Sequence, residues 1–197
     1  MKLLFCIEAD WEGSAKKQSS ILPMLQCISG IYPSKIKYIF RTANTTAEFK
    51  YCLKKFKQIS KTNDDFCGLF ICGHGKPGVI HLGDDSLSIE QLAEISTEIG
   101  EKLYSGHLIH FDSCSIIKGT KSQIKKFIKL TGASCVTGFE DEVDFIESLA
   151  LEMIFIDCLS DNNNASDAVE KFLKEHKSIC NRTKFKVIDM SHSLPSP

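Results

Sequence analysis

Leu69-Phe70-Ile71-Cys72-Gly73-His74-Gly75 is the stretch of sequence on which the fold of this chain depends. It is an apolar run that ends abruptly in a histidine between two glycines. A second stretch, Ile109-His110-Phe111-Asp112-Ser113-Cys114, ends in the same abrupt way in a small residue and a thiol. Apolar runs of about four to eight residues with such boundaries predict buried strands of a parallel sheet.

His74 and Cys114 follow these two predicted strands directly. Open α/β sheets carry their chemistry in the loops at the carboxyl ends of their strands. If the two strands are neighbours, the imidazole and the thiol emerge side by side, and the imidazole can take the thiol proton to leave a nucleophilic thiolate. The pattern therefore predicts a cysteine hydrolase whose catalytic dyad is His74 and Cys114.

Predicted strands and helices alternate along the whole chain. The strands are expected over 2–7, 36–41, 66–72, 107–111, 133–137 and 185–188, with a small hairpin over 79–88. The helices are expected over 15–29, 47–59, 89–99, 121–130, 143–159 and 165–176, with Pro23 as an irregularity in the first. This alternation predicts an α/β fold in three layers, α/β/α, with a mostly parallel sheet of about six strands. We expect a single domain over residues 1–190 and a flexible tail over 191–197.

Composition limits the classes of partner. The 197 residues are 43% hydrophobic and 25% charged with a formal net charge of −1, which gives no support for a nucleic-acid or membrane partner. No apolar run reaches the roughly 18 residues of a membrane span, and the first apolar run is too short for a signal peptide. The nine cysteines are odd in number and lie mostly within apolar runs, which is typical of reduced thiols in a cytoplasm. No pair of cysteines has zinc-site spacing, and we expect no metal and no cofactor.

Other polar residues have simpler interpretations. His107 and His110 have opposite parity on one predicted strand, so they face opposite sides of the sheet and are expected to pack rather than to bind a metal. The segment Gly73–Lys76 is too short for a phosphate-binding loop and lacks the required Ser or Thr.

The two site stretches resemble the corresponding motifs of the caspase-like (clan CD) cysteine peptidases, and most closely those of bacterial CHAT domains. In that family a His-Gly pair follows one strand and the catalytic cysteine follows the next. The resemblance spans roughly residues 66–176. The matching segments are Leu69–Gly75, His107–Cys114, Leu130–Gly138, Glu142–Asp144 and Asp167–Glu170.

The resemblance implies a caspase-like fold and a cysteine endopeptidase that acts on proteins or peptides. It implies Cys114 as the nucleophile and His74 as the base that also protonates the leaving amine. It further implies an oxyanion hole formed by the backbone N–H groups of Gly75 and Cys114, each such donor contributing about 3 kcal/mol to transition-state stabilisation.

Specificity is expected to follow from three carboxylates. Asp112 lies two positions before Cys114, so on an extended strand both side chains point to the same side. In metacaspase-like relatives an aspartate at this position lines the pocket that binds the substrate residue before the cut. Asp10 falls where the resemblance places a second acidic residue of this pocket. Asp144 could be a third acidic residue there. Converging carboxylates bind guanidinium and ammonium groups well, so cleavage after Arg or Lys is predicted.

Two other functional classes remain open at this point. One is a catalytically silent caspase-like module for interaction or signalling, against which the presence of both His74 and Cys114 counts. The other is a flavodoxin-like or receiver-like ligand-binding domain. For the peptidase we expect activation by a partner protein, a small-molecule signal or self-assembly. We expect the loops over 10–15, 75–88 and 138–144 to rearrange on activation. A role in bacterial defence would suit the family.

Overall fold

The central feature of the molecule is a six-stranded, mostly parallel sheet. The computed structural model describes residues 1–11, 19–60, 66–162 and 164–190. The strands of the main sheet are β1 (Lys2–Glu8), β2 (Ile36–Thr42), β3 (Phe66–Cys72), β7 (Leu108–Asp112), β8 (Cys135–Phe139) and β9 (Phe185–Ile188). They are arranged in the order β2-β1-β3-β7-β8-β9, and only β9 is antiparallel to its neighbour. The prediction of a mostly parallel sheet of about six strands is confirmed.

A second, smaller sheet follows β3. Its strands are β4 (Gly75–Lys76), β5 (Val79–Leu82) and β6 (Asp85–Ser88), which pair antiparallel in that order. The hairpin predicted over 79–88 is therefore present, and it has a short third strand that begins directly after His74.

Seven helices are present in the described part of the chain. They are α1 (Leu22–Ile31), α2 (Thr46–Ser60), α3 (Ile89–Ile99), α4 (Lys121–Thr131), α5 (Phe145–Asp161), α6 (Ala165–Glu175) and α7 (Lys177–Arg182). The helix predicted over 15–29 is wrong over 19–21, because α1 begins only at Leu22; residues 15–18 lie outside the described part. Pro23 lies in the first turn of α1, where a missing N–H costs no hydrogen bond. The segment predicted as a tail over 191–197 also lies outside the described residues.

Helices cover both faces of the main sheet, as the side-chain alternation along the strands requires. Odd-numbered residues of β1, β3 and β7 pack with α2, α3 and α4 in one apolar core, which includes Phe5, Ile71 and Phe111. The opposite face packs with α1, α5 and α6 in a second core, which includes Phe70 and Phe155. This arrangement gives the three layers predicted from the sequence. None of the described helices combines the length and the apolar character that crossing a membrane requires.

Candidate active site

The two loops that carry His74 and Cys114 lie together at one edge of the sheet. Strands β3 and β7 are parallel neighbours, and the last residue of each, Cys72 and Asp112, are register partners. The N–H of Gly73 donates to the carbonyl of Asp112 at 3.1 Å. The buried hydroxyl of Ser113 donates back to the carbonyl of Gly73 at 2.7 Å. These two bonds fix the His74 loop against the Cys114 loop.

Gly75 allows the closest approach between these loops. A Cβ atom at this position would lie 2.7 Å from the carbonyl oxygen of Cys114 and still closer to the Ser113 hydroxyl. Real Cβ atoms essentially never approach so closely, so only glycine fits here. Packing against the Cys114 loop therefore explains the glycine that follows His74.

The backbone N–H groups of Gly75 and Cys114 are both available to a ligand. The N–H of His81 donates to the carbonyl of His74 at 2.8 Å, which makes Gly75 and Ile80 a non-hydrogen-bonded pair of the β4–β5 ladder. The Gly75 N–H therefore points away from β5. The Cys114 N–H donates to no residue in the described part of the chain.

Cys114 is half-buried and precedes a strained turn. Its Sγ lies 3.9 Å from the carbonyl oxygen of Val143, which accepts a weak hydrogen bond from the thiol. Ser115 has φ +56°, a left-handed conformation that is uncommon for serine, and its N–H donates to the carbonyl of Asp141 at 3.1 Å. Such conformations cluster at functional sites, where the surrounding structure holds them in place.

His74 is exposed, and its ring contacts the indole of Trp11 edge to face at a centroid distance of 5.5 Å. Across the described ranges no hydrogen bond joins the His74 ring to the sulfur of Cys114. Hydrogen bonds between catalytic groups are often long or poorly aligned without substrate and tighten only in the complex. The structure thus brings the two loops together, without a hydrogen bond between the two side chains of the predicted dyad in the described ranges.

A surface depression of about 410 Å³ lies beside His74. Its walls are formed by residues of four segments of the chain: Asp10, Trp11, Asn44, His74, His81, Gly83 and Asp84. Of the three predicted pocket acids, only Asp10 lines this depression. Asp84 supplies a second carboxylate, and sequence reasoning missed it, although its position in the turn of the hairpin after His74 was a usable signal.

Asp112 is 3% exposed and lies on the α5 side of the sheet. Burial raises the pKa of its carboxyl well above the usual range, and the nearby Glu152 carboxyl adds to the rise. Burial likewise raises the pKa of Glu152 to about 8. Asp112 Oδ2 and Glu152 Oε2 have no hydrogen-bond partner among the described residues. In this resting state Asp112 is favoured in its neutral form.

Asp144 is an exposed helix cap. Its Oδ1 accepts from the N–H groups of Ile146 and Glu147 at 2.9 and 3.1 Å, at the start of α5. One of its carboxylate oxygens is thus already used by the helix, and a ligand would have to bind the other.

The predicted packing roles of His107 and His110 agree with the structure. His107 contacts Phe56 on one face of the sheet, and His110 is fully buried against Phe70 on the other. The Nε2 atom of His110 lies 3.1 Å from Glu152 Oε1, and burial lowers the pKa of the imidazole to about 4. In the described segments no three metal-binding side chains come together.

Trp11 is the second site residue that sequence reasoning missed. Its indole contacts both His74 and Phe145, and its Nε1–H donates to Glu8 Oε1 at 2.9 Å. The usable signal was its position just past β1, because β1 is parallel to β3 and ends at the same edge of the sheet.

A family model described as a family of unknown function (DUF6642) matches residues 1–188. The match includes both loops of the site. No curated protein matches the chain.

Proposed function

The chain belongs to this family of unknown function, DUF6642, and from its site we propose that it is a cysteine endopeptidase with Cys114 as nucleophile and His74 as general base. The observation that carries the proposal is the locked pair of loops at the carboxyl ends of β3 and β7, one with an imidazole and one with a half-buried thiol. The three-layer arrangement with a mostly parallel sheet agrees with a caspase-like fold.

In the proposed reaction His74 takes the proton from Cys114 Sγ, and the thiolate attacks the carbonyl carbon of the scissile peptide bond. The backbone N–H groups of Gly75 and Cys114 donate to the oxyanion that forms. His74 then protonates the leaving amine, and a water molecule, deprotonated by His74, hydrolyses the thioester. No metal or cofactor takes part in this scheme.

We propose that the substrate residue before the cut is Arg or Lys and that Asp10, Asp112 and Asp144 bind it. Among the described residues that line the depression beside His74, two carry carboxylates and none is a lysine or an arginine, which supports a cationic ligand. An arriving guanidinium would lower the pKa of the buried Asp112 and draw it into its charged form.

Activity in a cytoplasm would need control, so we propose activation by a partner protein, a small-molecule signal or self-assembly. The open dyad and the thiol bound to the Val143 carbonyl support a resting state that must rearrange. A bacterial defence pathway is the setting we propose for such a switch.

The test is labelling by peptidyl acyloxymethyl ketones that differ only in the residue before the warhead. We expect an Arg probe to label Cys114 in whole lysate faster than an Asp probe, and Cys114→Ala to abolish labelling. The matched control is Cys27→Ala, which removes an exposed thiol of α1 and should leave labelling intact. Equal labelling of Cys114 and Cys27 with no preference between probes would exclude the proposal.

The silent interaction module remains the second candidate because the Cys114 thiol is bound to a carbonyl and not to His74. In such a module Cys114 would react no faster than Cys27 in any lysate or assembly state. The labelling experiment therefore separates the two candidates directly.

A further inference from the structure

In the described part of the chain, the His74 ring has no hydrogen-bonded partner of the kind that usually orients a catalytic base. In nucleophile–base pairs the base is normally held by a third group that fixes its tautomer and its direction. Within the described ranges no group hydrogen-bonds the His74 ring, and its neighbour His81 binds only its backbone carbonyl. Something else must set the direction of the imidazole.

The indole of Trp11 contacts that ring edge to face. The two ring planes meet at 80° with their centroids 5.5 Å apart. On its other side Trp11 meets the ring of Phe145 at 74° and 5.6 Å. Edge-to-face contacts of this kind are the preferred geometry of aromatic pairs, and they constrain orientation as well as distance.

Trp11 is itself anchored to the sheet. Its Nε1–H donates to Oε1 of Glu8, the last residue of β1, which is 4% exposed. The same Oε1 atom accepts from the N–H of Ile21 at 2.7 Å, and Oε2 accepts from the Ser20 hydroxyl at 2.6 Å. Since Glu8 pairs in register with Cys72 of β3, the anchor lies two residues from His74 across the sheet.

We propose that Trp11, held by Glu8, is the positioning residue for His74. A buried carboxylate fixes an indole, and the indole fixes the exposed imidazole, in place of a direct hydrogen bond to the base. The catalytic meaning of this chain of contacts rests on the proposed peptidase function, but the contacts themselves do not.

The first measurement does not depend on activity. Trp11 is the single tryptophan of the chain, so a ¹⁵N-labelled sample gives one indole N–H resonance. We expect that resonance to move as the sample is acidified, and we expect the movement to disappear in His74→Gln. A resonance that moves equally in wild type and His74→Gln would overturn the proposal.

Glu8→Gln provides the matched variant. The indole N–H of Trp11 and the backbone N–H of Ile21 both donate to Oε1, and the side-chain carbonyl oxygen of glutamine can accept the same two bonds. The Ser20 hydroxyl, which donates to Oε2 of Glu8, can rotate to accept from the amide NH₂ of the glutamine. We expect Glu8→Gln to keep the indole resonance and its response to His74. Loss of that response in a folded Glu8→Gln protein would show that the charge, and not the anchored ring, controls the contact, and would overturn the proposal.

The second measurement is the rate at which iodoacetamide alkylates Cys114 in whole lysate, where an activator can be present, with Cys27 in the same molecule as reference. We expect Trp11→Leu to slow the alkylation of Cys114 by about tenfold relative to that of Cys27. Trp11→Phe keeps a ring, so we expect it to recover most of the rate. A Cys114 rate in Trp11→Leu that equals or exceeds wild type would overturn the positioning role. If the indole resonance follows His74 while wild-type Cys114 reacts no faster than Cys27, the contact is supported and the peptidase proposal fails instead.

Discussion

Gly75 and Gly30 provide a matched pair of substitutions at the residue scale. Gly75→Ala places a methyl group against Ser113 and Cys114, so we expect a loss of about 1–3 kcal/mol of stability and loss of Cys114 reactivity. Gly30 lies in α1, where an added methyl group would meet nothing within 4 Å, so Gly30→Ala should stabilise by about 0.5–1 kcal/mol. Denaturant unfolding of both variants measures the difference. Equal effects of the two substitutions would contradict the close packing of the loops.

Ser115 lies in the strained turn after Cys114. With φ +56° it adopts a conformation that costs an L-residue about 1–2 kcal/mol and costs glycine little. We expect Ser115→Gly to raise the free energy of unfolding by about 1 kcal/mol relative to Ser115→Ala, which keeps the strain and removes only the hydroxyl. A glycine variant less stable than the alanine variant would show that the turn is not strained.

The residues of the site differ in how far the sequence predicts them. Strand-ending runs predicted His74 and Cys114 at one edge, and the structure brings their loops together. The same runs could not predict that Asp112 is buried next to Glu152, because that contact depends on which face of α5 packs on the sheet. Trp11 was visible only as a lone aromatic in an acidic loop, and its role depends on contacts with Glu8 and Phe145, which a linear sequence does not show.

At the scale of elements, α5 depends on the residue that caps its N-terminus. Asp144 accepts two N–H groups of the first turn, so Asp144→Ala should lower the free energy of unfolding by about 1 kcal/mol. Asp144→Asn keeps an oxygen that accepts the same bonds, and we expect it to be near wild type in stability. The asparagine variant also removes the charge, so a weaker preference for Arg or Lys with stability unchanged would assign Asp144 to the substrate pocket.

Local signals predicted most elements, and the misses have physical causes. Helix α3 was predicted over 89–99 and covers Ile89–Ile99, because the capping box at Ser88 and the C-cap at Gly100 are encoded locally. Strand β8 was predicted over 133–137 but covers Cys135–Phe139, since its register is set by pairing with β7. Helix α7 was missed because its six residues carry too short a pattern to show helical periodicity.

At the scale of the whole molecule, a group of buried ionisable residues couples stability to pH. Glu152, with its pKa raised to about 8, keeps a proton in the folded chain that it loses in the unfolded chain above about pH 4.5. The contribution of Glu152 to the free energy of unfolding is therefore largest below about pH 4.5, and it decreases as the pH rises toward 8. Asp112 acts in the same direction. His110, with its pKa lowered to about 4, acts oppositely between about pH 4 and 6.5.

Between about pH 6.5 and 8 only the carboxyl effect remains, so we expect the free energy of unfolding to fall by about 1 kcal/mol per pH unit. Glu152→Gln should make this fall shallower, because an amide does not titrate and can still form a hydrogen bond with His110, while Asp112 keeps its own share of the fall. Glu94→Gln, on the exposed face of α3, is the control and should follow wild type. Parallel curves for wild type and Glu152→Gln in urea unfolding would contradict a protonated Glu152.

The alternation of strands and helices was enough to predict the layers of the molecule but not the order of strands within the sheet. Neighbours in the sheet follow from which strands pair best once all are present. The antiparallel β9 at the edge, and β1 between β2 and β3, are outcomes of that global pairing.

The position of β1 between β2 and β3 also has a consequence for folding during synthesis on the ribosome. Strand β1 can pair on both sides only after β2 and β3 have been synthesised. The His74 loop must wait until β7, synthesised after β4 to β6 and α3, docks beside β3. Parallel pairing of this kind closes long loops and is slow. On a nascent chain the His74 loop is therefore complete before the Cys114 loop has been made, and the two loops meet only when β7 has docked.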